Sequence, residues 1–189
     1  GWTPIVYATL YQLFGDEYLS RDFGVSFETK LSEAYLQKNM TTLEKINTDR
    51  GTCYQLGDMM SNTDGNGVAQ INDSIRQQII DSYVCLDKAM LSRQQGAPLY
   101  HPKHIYVVTD QGTFSAAFHY AFMLWKMGAT LVGIPSSQAP NTYMEITDFT
   151  LPHSGLSCSV SNSLQSFLPA SDPRAKVLWP DWMPSYEDY

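Results

Sequence analysis

The sequence predicts a mixed α/β fold, and three stretches carry that reading. HIYVVTD (104–110) is a short run rich in β-branched residues and bounded by turn signals, the pattern of a buried strand. Residues 113–127 are helical in composition and stop at Gly128, and ATLVGIP (129–135) is a second buried strand. Strand, helix and strand in direct succession, followed by a β-rich tail, is the order of an α/β domain.

The other elements follow along the chain. Ile5, Val6, Ala8, Leu10, Leu13 and Phe14 keep helical spacing behind Pro4, and Gly15 marks a stop, so a helix opens the sequence. Residues 16–70 read as an irregular accessory segment, with a helix candidate at 27–36 and the turn-rich run SNTDGNG. Ile75, Ile79, Ile80, Val84, Leu86 and Met90 fall close to one face, which predicts a single amphipathic helix over 71–93. Pro98 and Pro102 punctuate the entry to the first strand. Beyond ATLVGIP, the alternation in YMEITDFTLP and the short runs LSCSV and VLWPDW add β candidates. No internal repeat is visible.

Composition narrows the classes. The chain has 189 residues, of which 43% are hydrophobic and 13% aromatic, enough to build a core and to exclude disorder or collagen-like repeats as the main state. Its 12 basic against 19 acidic side chains give a net charge of −7, which repels phosphate backbones and argues against nucleic-acid binding. Only 16% of residues are charged, a balance that leans toward an extracytoplasmic protein, periplasmic or secreted. The apolar stretch 114–125 is too short to span a bilayer. The first residues carry neither an initiating Met nor a signal-peptide pattern, so the chain reads as beginning inside something larger. Cys53, Cys85 and Cys158 are odd in number and far apart, giving neither a metal pattern nor a disulfide framework, and read as small buried apolar residues.

The sharpest local feature is VVTDQGTFSAAF: a strand, a turn with Gly112, and a helix start that holds Ser115. A hydroxyl there lies beside unpaired N–H groups and the positive end of a helix dipole, which suits acyl transfer. On the local pattern alone, the plainer reading is that Thr113 or Ser115 simply caps the helix.

At these residues the sequence resembles the serine peptidases of the C-terminal-processing and tricorn type. Their nucleophile follows a strand, in Gly-Thr-x-Ser-Ala-(Ser/Ala) at a helix start, before a second strand ending in Val-Gly. IYVVTDQGTFSAAFHYAFMLWKMGATLVGIP follows that order, and VLWPD matches a late β segment ending in Pro-Asp. The resemblance covers the beginning of the chain and about residues 104–182. It implies a ClpP/crotonase-like layered β-β-α core, here the C-terminal part of an incomplete catalytic domain. It implies Ser115 as nucleophile and the N–H of Ala116 as one oxyanion donor. Gly1 would be the other donor, as the last glycine of a turn lying just before this chain.

The processing branch uses a lysine base after the Val-Gly strand, but no lysine occurs between Lys126 and Lys176. The tricorn branch uses a histidine upstream of the glycine turn, before Gly1, and an acidic partner for which Asp172 is the nearest candidate. The implied function is a serine endopeptidase acting on peptide or protein substrates, with no cofactor, completed by the upstream portion of the same protein. Alternatives are a non-catalytic peptide-binding or scaffold domain of the same fold, and a crotonase-like acyl-CoA enzyme, against which the Gly-Thr-x-Ser-Ala-Ala turn argues.

His119, four residues after Ser115, reads as a packed or surface histidine, and His101, His104 and His153 lack zinc-ligand spacing. Asn62, Asp64, Asn66, Gly67 and Asp73 fall at positions of a calcium loop, but Asn stands first and Asp last, so a solvated turn is the plainer reading. The aromatics of YATLYQLF and FHYAFMLW read as helix core.

Overall fold

The computed structural model describes residues 3–61, 71–83, 87–185 and 187, and the side chains of 3–5 are not among them. The chain is mixed α/β and divides into two compact units. The first takes the described residues of Gly1–Phe23, Asn66–Ala139 and Val177–Tyr189; the second takes those of Gly24–Gly65 and Pro140–Lys176.

In the first unit, α1 (Thr3–Phe14) and α2 (Asp16–Leu19) open the chain, and α5 (Asp73–Ser82) and α6 (Lys88–Arg93) follow later. The strand β3 (Tyr106–Thr109) then leads through α7 (Ala116–Lys126) into β4 (Thr130–Gly133). β3 and β4 pair in parallel, Val107 opposite Leu131 and Thr109 opposite Gly133. α7 places Phe118, Ala121, Phe122 and Leu124 on its buried side, and α1 buries Leu10 and Tyr11 fully. Burying each such Phe or Leu stabilises by about 1.5–3 kcal/mol before chain entropy is set against it. Gly133 is a position that only glycine can fill. Its φ is +121°, and a Cβ there would lie 2.2 Å from the backbone oxygen of Thr109 on the paired strand.

Two expectations for this unit need correction. The helix expected over 71–93 is two helices, because Tyr83 turns extended (φ −71°, ψ 141°) and Asp87 starts a new helix by accepting from the N–H of Met90 at 2.8 Å. The strand at 104–110 is not buried on both faces: Tyr106 is 64% and Val108 78% exposed. VLWPDW contributes only a single parallel bridge, Trp182 to Val132. The carboxylate of Asp181 accepts from the N–H of Leu131 at 2.8 Å and the N–H of Trp182 donates to the carbonyl of Leu131 at 3.1 Å, which fixes this tail along β4.

The second unit is a four-stranded antiparallel sheet of order β2-β1-β6-β5, with β1 Ser26–Lys30, β2 Met59–Ser61, β5 Thr142–Thr150 and β6 Ser157–Ser166. β5 and β6 form a long hairpin in register from Thr142 opposite Gln165 to Thr150 opposite Ser157. α3 (Glu33–Lys38) and α4 (Leu43–Arg50) connect β1 to β2, and Tyr35, Leu36 and Leu43 pack with buried Leu31, Ile46 and Met60. The expectation of an irregular segment over 16–70 therefore fails for 24–61. The helix expected at 27–36 is a strand followed by a helix, since Ser32 accepts from the N–H of Tyr35 at 3.1 Å and sets the helix start there. Phe27 meets Phe167 edge to face, with centroids 5.6 Å apart.

Candidate active site

The turn between β3 and α7 is closed by its own polar groups. The N–H of Thr113 donates to the carbonyl of Asp110 at 3.0 Å, and the N–H of Asp110 donates to Thr113 Oγ1 at 3.0 Å. Asp110 Oδ1 accepts from the N–H of Gly112 at 2.8 Å and from Thr113 Oγ1 at 3.3 Å. Such an Asx turn rigidifies the chain just before the helix. Thr113 thus spends its hydroxyl on the turn and not on a helix cap.

The bend that sequence reasoning attached to Gly112 falls on Ser115. Gly112 has no positive φ, whereas Ser115 stands at φ 54°, ψ −122°, a conformation that suits glycine and strains any L residue. Ser115 is the residue before α7, yet its side chain makes no cap hydrogen bond, which removes the capping alternative. It is exposed, and its Oγ hydrogen-bonds nothing among the described residues. The first turn of α7 holds no acidic side chain, so the positive end of its dipole is uncompensated within the helix. The N–H of Ala116 has no acceptor among the described residues. A serine in a strained strand-to-helix turn, beside an unpaired N–H at a helix start, is the local geometry of a nucleophile with one oxyanion donor.

Gln138 holds this elbow in place, and sequence reasoning missed it. Its side chain is buried, and Oε1 accepts the N–H of Ser115 at 2.6 Å. The loop that carries it is tied to β3 by Thr109, whose Oγ1 donates to the carbonyl of Ile134 at 3.0 Å while the N–H of Ile134 donates back to the Thr109 carbonyl at 3.1 Å. Ser136 Oγ donates to the Gln138 carbonyl at 2.8 Å. Nothing in GIPSSQAPN marks Gln138 for this role, because its partner lies 23 positions away.

The other predicted residues are placed differently. Gly1 lies outside the described residues, as do Cys85 and positions 62–70 of the calcium-like run. Asp73, at the end of that run, pairs with Arg76 at 2.6 Å, and Asn72 caps α5. Asp172 belongs to the second unit, where it caps the turn Pro173–Ala175 and holds Arg174 by two contacts of 3.0 and 2.7 Å. His119 is half-buried against Phe118, with ring centroids 6.3 Å apart. No histidine, lysine or carboxylate of the described residues hydrogen-bonds Ser115 Oγ. Cys53 is exposed, which corrects its reading as a buried apolar residue, and Cys158 is partly buried. Among the described residues no group of three His, Cys, Asp or Glu side chains could hold a metal, and no helix is long and apolar enough to cross a membrane.

Compared with protein-family models, curated proteins and solved structures, the chain matches none.

Proposed function

We propose that this chain carries the nucleophile of a serine endopeptidase and that Ser115 is that nucleophile. The observation that supports it most is the strained Ser115 elbow with its unengaged hydroxyl beside the free N–H of Ala116. In this reading a base takes the proton from Ser115 Oγ as the oxygen bonds to the scissile carbonyl carbon. The carbonyl electrons move onto oxygen, and the N–H of Ala116 stabilises the resulting oxyanion, joined by that of Gly1 if the resemblance extends to it. Collapse breaks the C–N bond, the base returns the proton to the departing amine, and water then hydrolyses the acyl ester on Ser115.

The base is a histidine from sequence upstream of Gly1, as in the tricorn branch. Asp172 is the acidic partner that the resemblance suggests for it. The β3-α7-β4 unit is the part of the chain offered as a ClpP/crotonase-like core, and an extracytoplasmic setting belongs to the same proposal.

Casein turnover by the full-length protein and its Ser115→Ala variant tests the reading. Loss of one oxyanion donor alone typically costs about 10²- to 10³-fold, so loss of the nucleophile should cost more. Wild-type turnover by the variant would end the assignment. A non-catalytic peptide-binding domain is the second reading, favoured by the lack of a base at Ser115 Oγ among the described residues.

A further inference from the structure

Within the second unit, a cleft of about 280 Å³ opens between α3 and the sheet. That volume falls just below the roughly 300–1,000 Å³ of drug-sized ligand sites, which suits only a small ligand. Thr29 and Ser163 contribute to its lining; both are buried, and their hydroxyls share a 2.8 Å hydrogen bond. Asn162 lies next to them, accepting from Ser163 Oγ at 3.2 Å and donating to Thr147 Oγ1 at 2.7 Å. Tyr35 forms part of the wall, supported by the Leu31, Ile46 and Met60 cluster.

Two opposite charges line this one cleft, Lys38 from α3 and Glu145 from β5. Among the described residues neither makes an ion pair, with the other or with any other group. Lys38 Nζ is held instead on the carbonyl of Ile146. Glu145 stands at φ 53° in the middle of a strand, while its neighbours Met144 and Ile146 keep their register with Ser163 and Ser161. A non-glycine residue in that conformation is strained, and such strain clusters at ligand clamps and other functional sites. The two exposed charges thus line one polar cleft without pairing to each other, a lining that suits a ligand carrying both signs.

We infer that this cleft binds a free α-amino acid, with Lys38 taking its carboxylate, Glu145 its ammonium, and Asn162 and the Thr29–Ser163 pair lining the polar floor. The site is independent of the chemistry at Ser115.

Isothermal titration of the full chain with each standard L-amino acid, at up to about 10 mM ligand, tests this directly. At least one should bind. Its α-hydroxy acid analogue, which lacks the ammonium, and its amide, which lacks the carboxylate, should each bind about tenfold or more weakly. Lys38→Met and Glu145→Gln, checked for folding by circular dichroism, should weaken binding by a similar factor. Glu145→Gly keeps the proposal testable if the other variants misfold: it relieves the positive φ, so it should fold normally while losing the ligand. The inference is overturned if no amino acid binds, if a neutral hexose binds as tightly, or if both charge variants bind as the wild type does.

Discussion

Replacing Ser115 by glycine should make the protein more stable while destroying the proposed site. An L residue at φ 54°, ψ −122° costs about 2–3 kcal/mol, and glycine takes that conformation without steric cost. Glycine loses about 0.5–1 kcal/mol more chain entropy on folding. The serine side chain makes no cap hydrogen bond, so its removal forfeits none. The net gain is about 1–2.5 kcal/mol. For a chain of 189 residues this raises the unfolding midpoint by about 2–10 °C, at about 2–4 °C per kcal/mol. Ser115→Ala is the control: it removes the same hydroxyl but keeps the Cβ and hence the strain. Thermal unfolding followed by far-ultraviolet circular dichroism measures all three proteins. A glycine midpoint at or below that of the alanine variant would refute the claim that the elbow is strained.

Further expectations concern the supports of that elbow and the core of the first unit. Gln138→Ala leaves the partly buried N–H of Ser115 without its acceptor, which should cost about 1 kcal/mol in urea unfolding and lower any turnover that depends on Ser115; an unchanged midpoint counts against the anchor. Gly133→Ala sets a Cβ against the Thr109 carbonyl at 2.2 Å and a strained φ of +121°, so it should destabilise by about 2–5 kcal/mol, and a soluble variant with the wild-type midpoint would contradict the pairing of β3 with β4. Burial drives the phenols of Tyr18 and Tyr83 well above the ordinary value of 10.0. The fold therefore favours their neutral forms, a contribution fully present below pH 10 and lost as pH rises beyond it, since the unfolded chain ionises first. Absorbance at alkaline pH should show exposed tyrosines titrating first and these two only with unfolding; a single transition of all tyrosines in the folded protein would contradict their burial.

The elements that could be read from the sequence are those whose pattern is local. The β-branched run at 106–109, the apolar spacing of α7 and the alternation of β5 each announce a period over a few residues, and each is found. The exposure of Tyr106 and Val108 was not legible, because an apolar run has the same text whether one face is covered or two. Residues 26–61 were misread because their order rests on Ser32 and Thr42 as helix caps and on Leu31, Ile46 and Met60 meeting from separate elements. The candidate site divides in the same way. Ser115 stood out through its strand, turn and helix context. Gln138 did not, since its contact with Ser115 spans 23 positions and carries no periodic signal. Likewise Glu145 sits in an ordinary alternation, and only the backbone reveals its positive φ.

The central claim is that Ser115 Oγ is a nucleophile. Its most direct test is a fluorophosphonate probe applied to the full-length protein, with the modified residue located by mass spectrometry after digestion. The account predicts a single adduct on Ser115, absent from Ser115→Ala. An adduct on another residue, or none on the full-length protein under conditions that label known serine hydrolases, would contradict it.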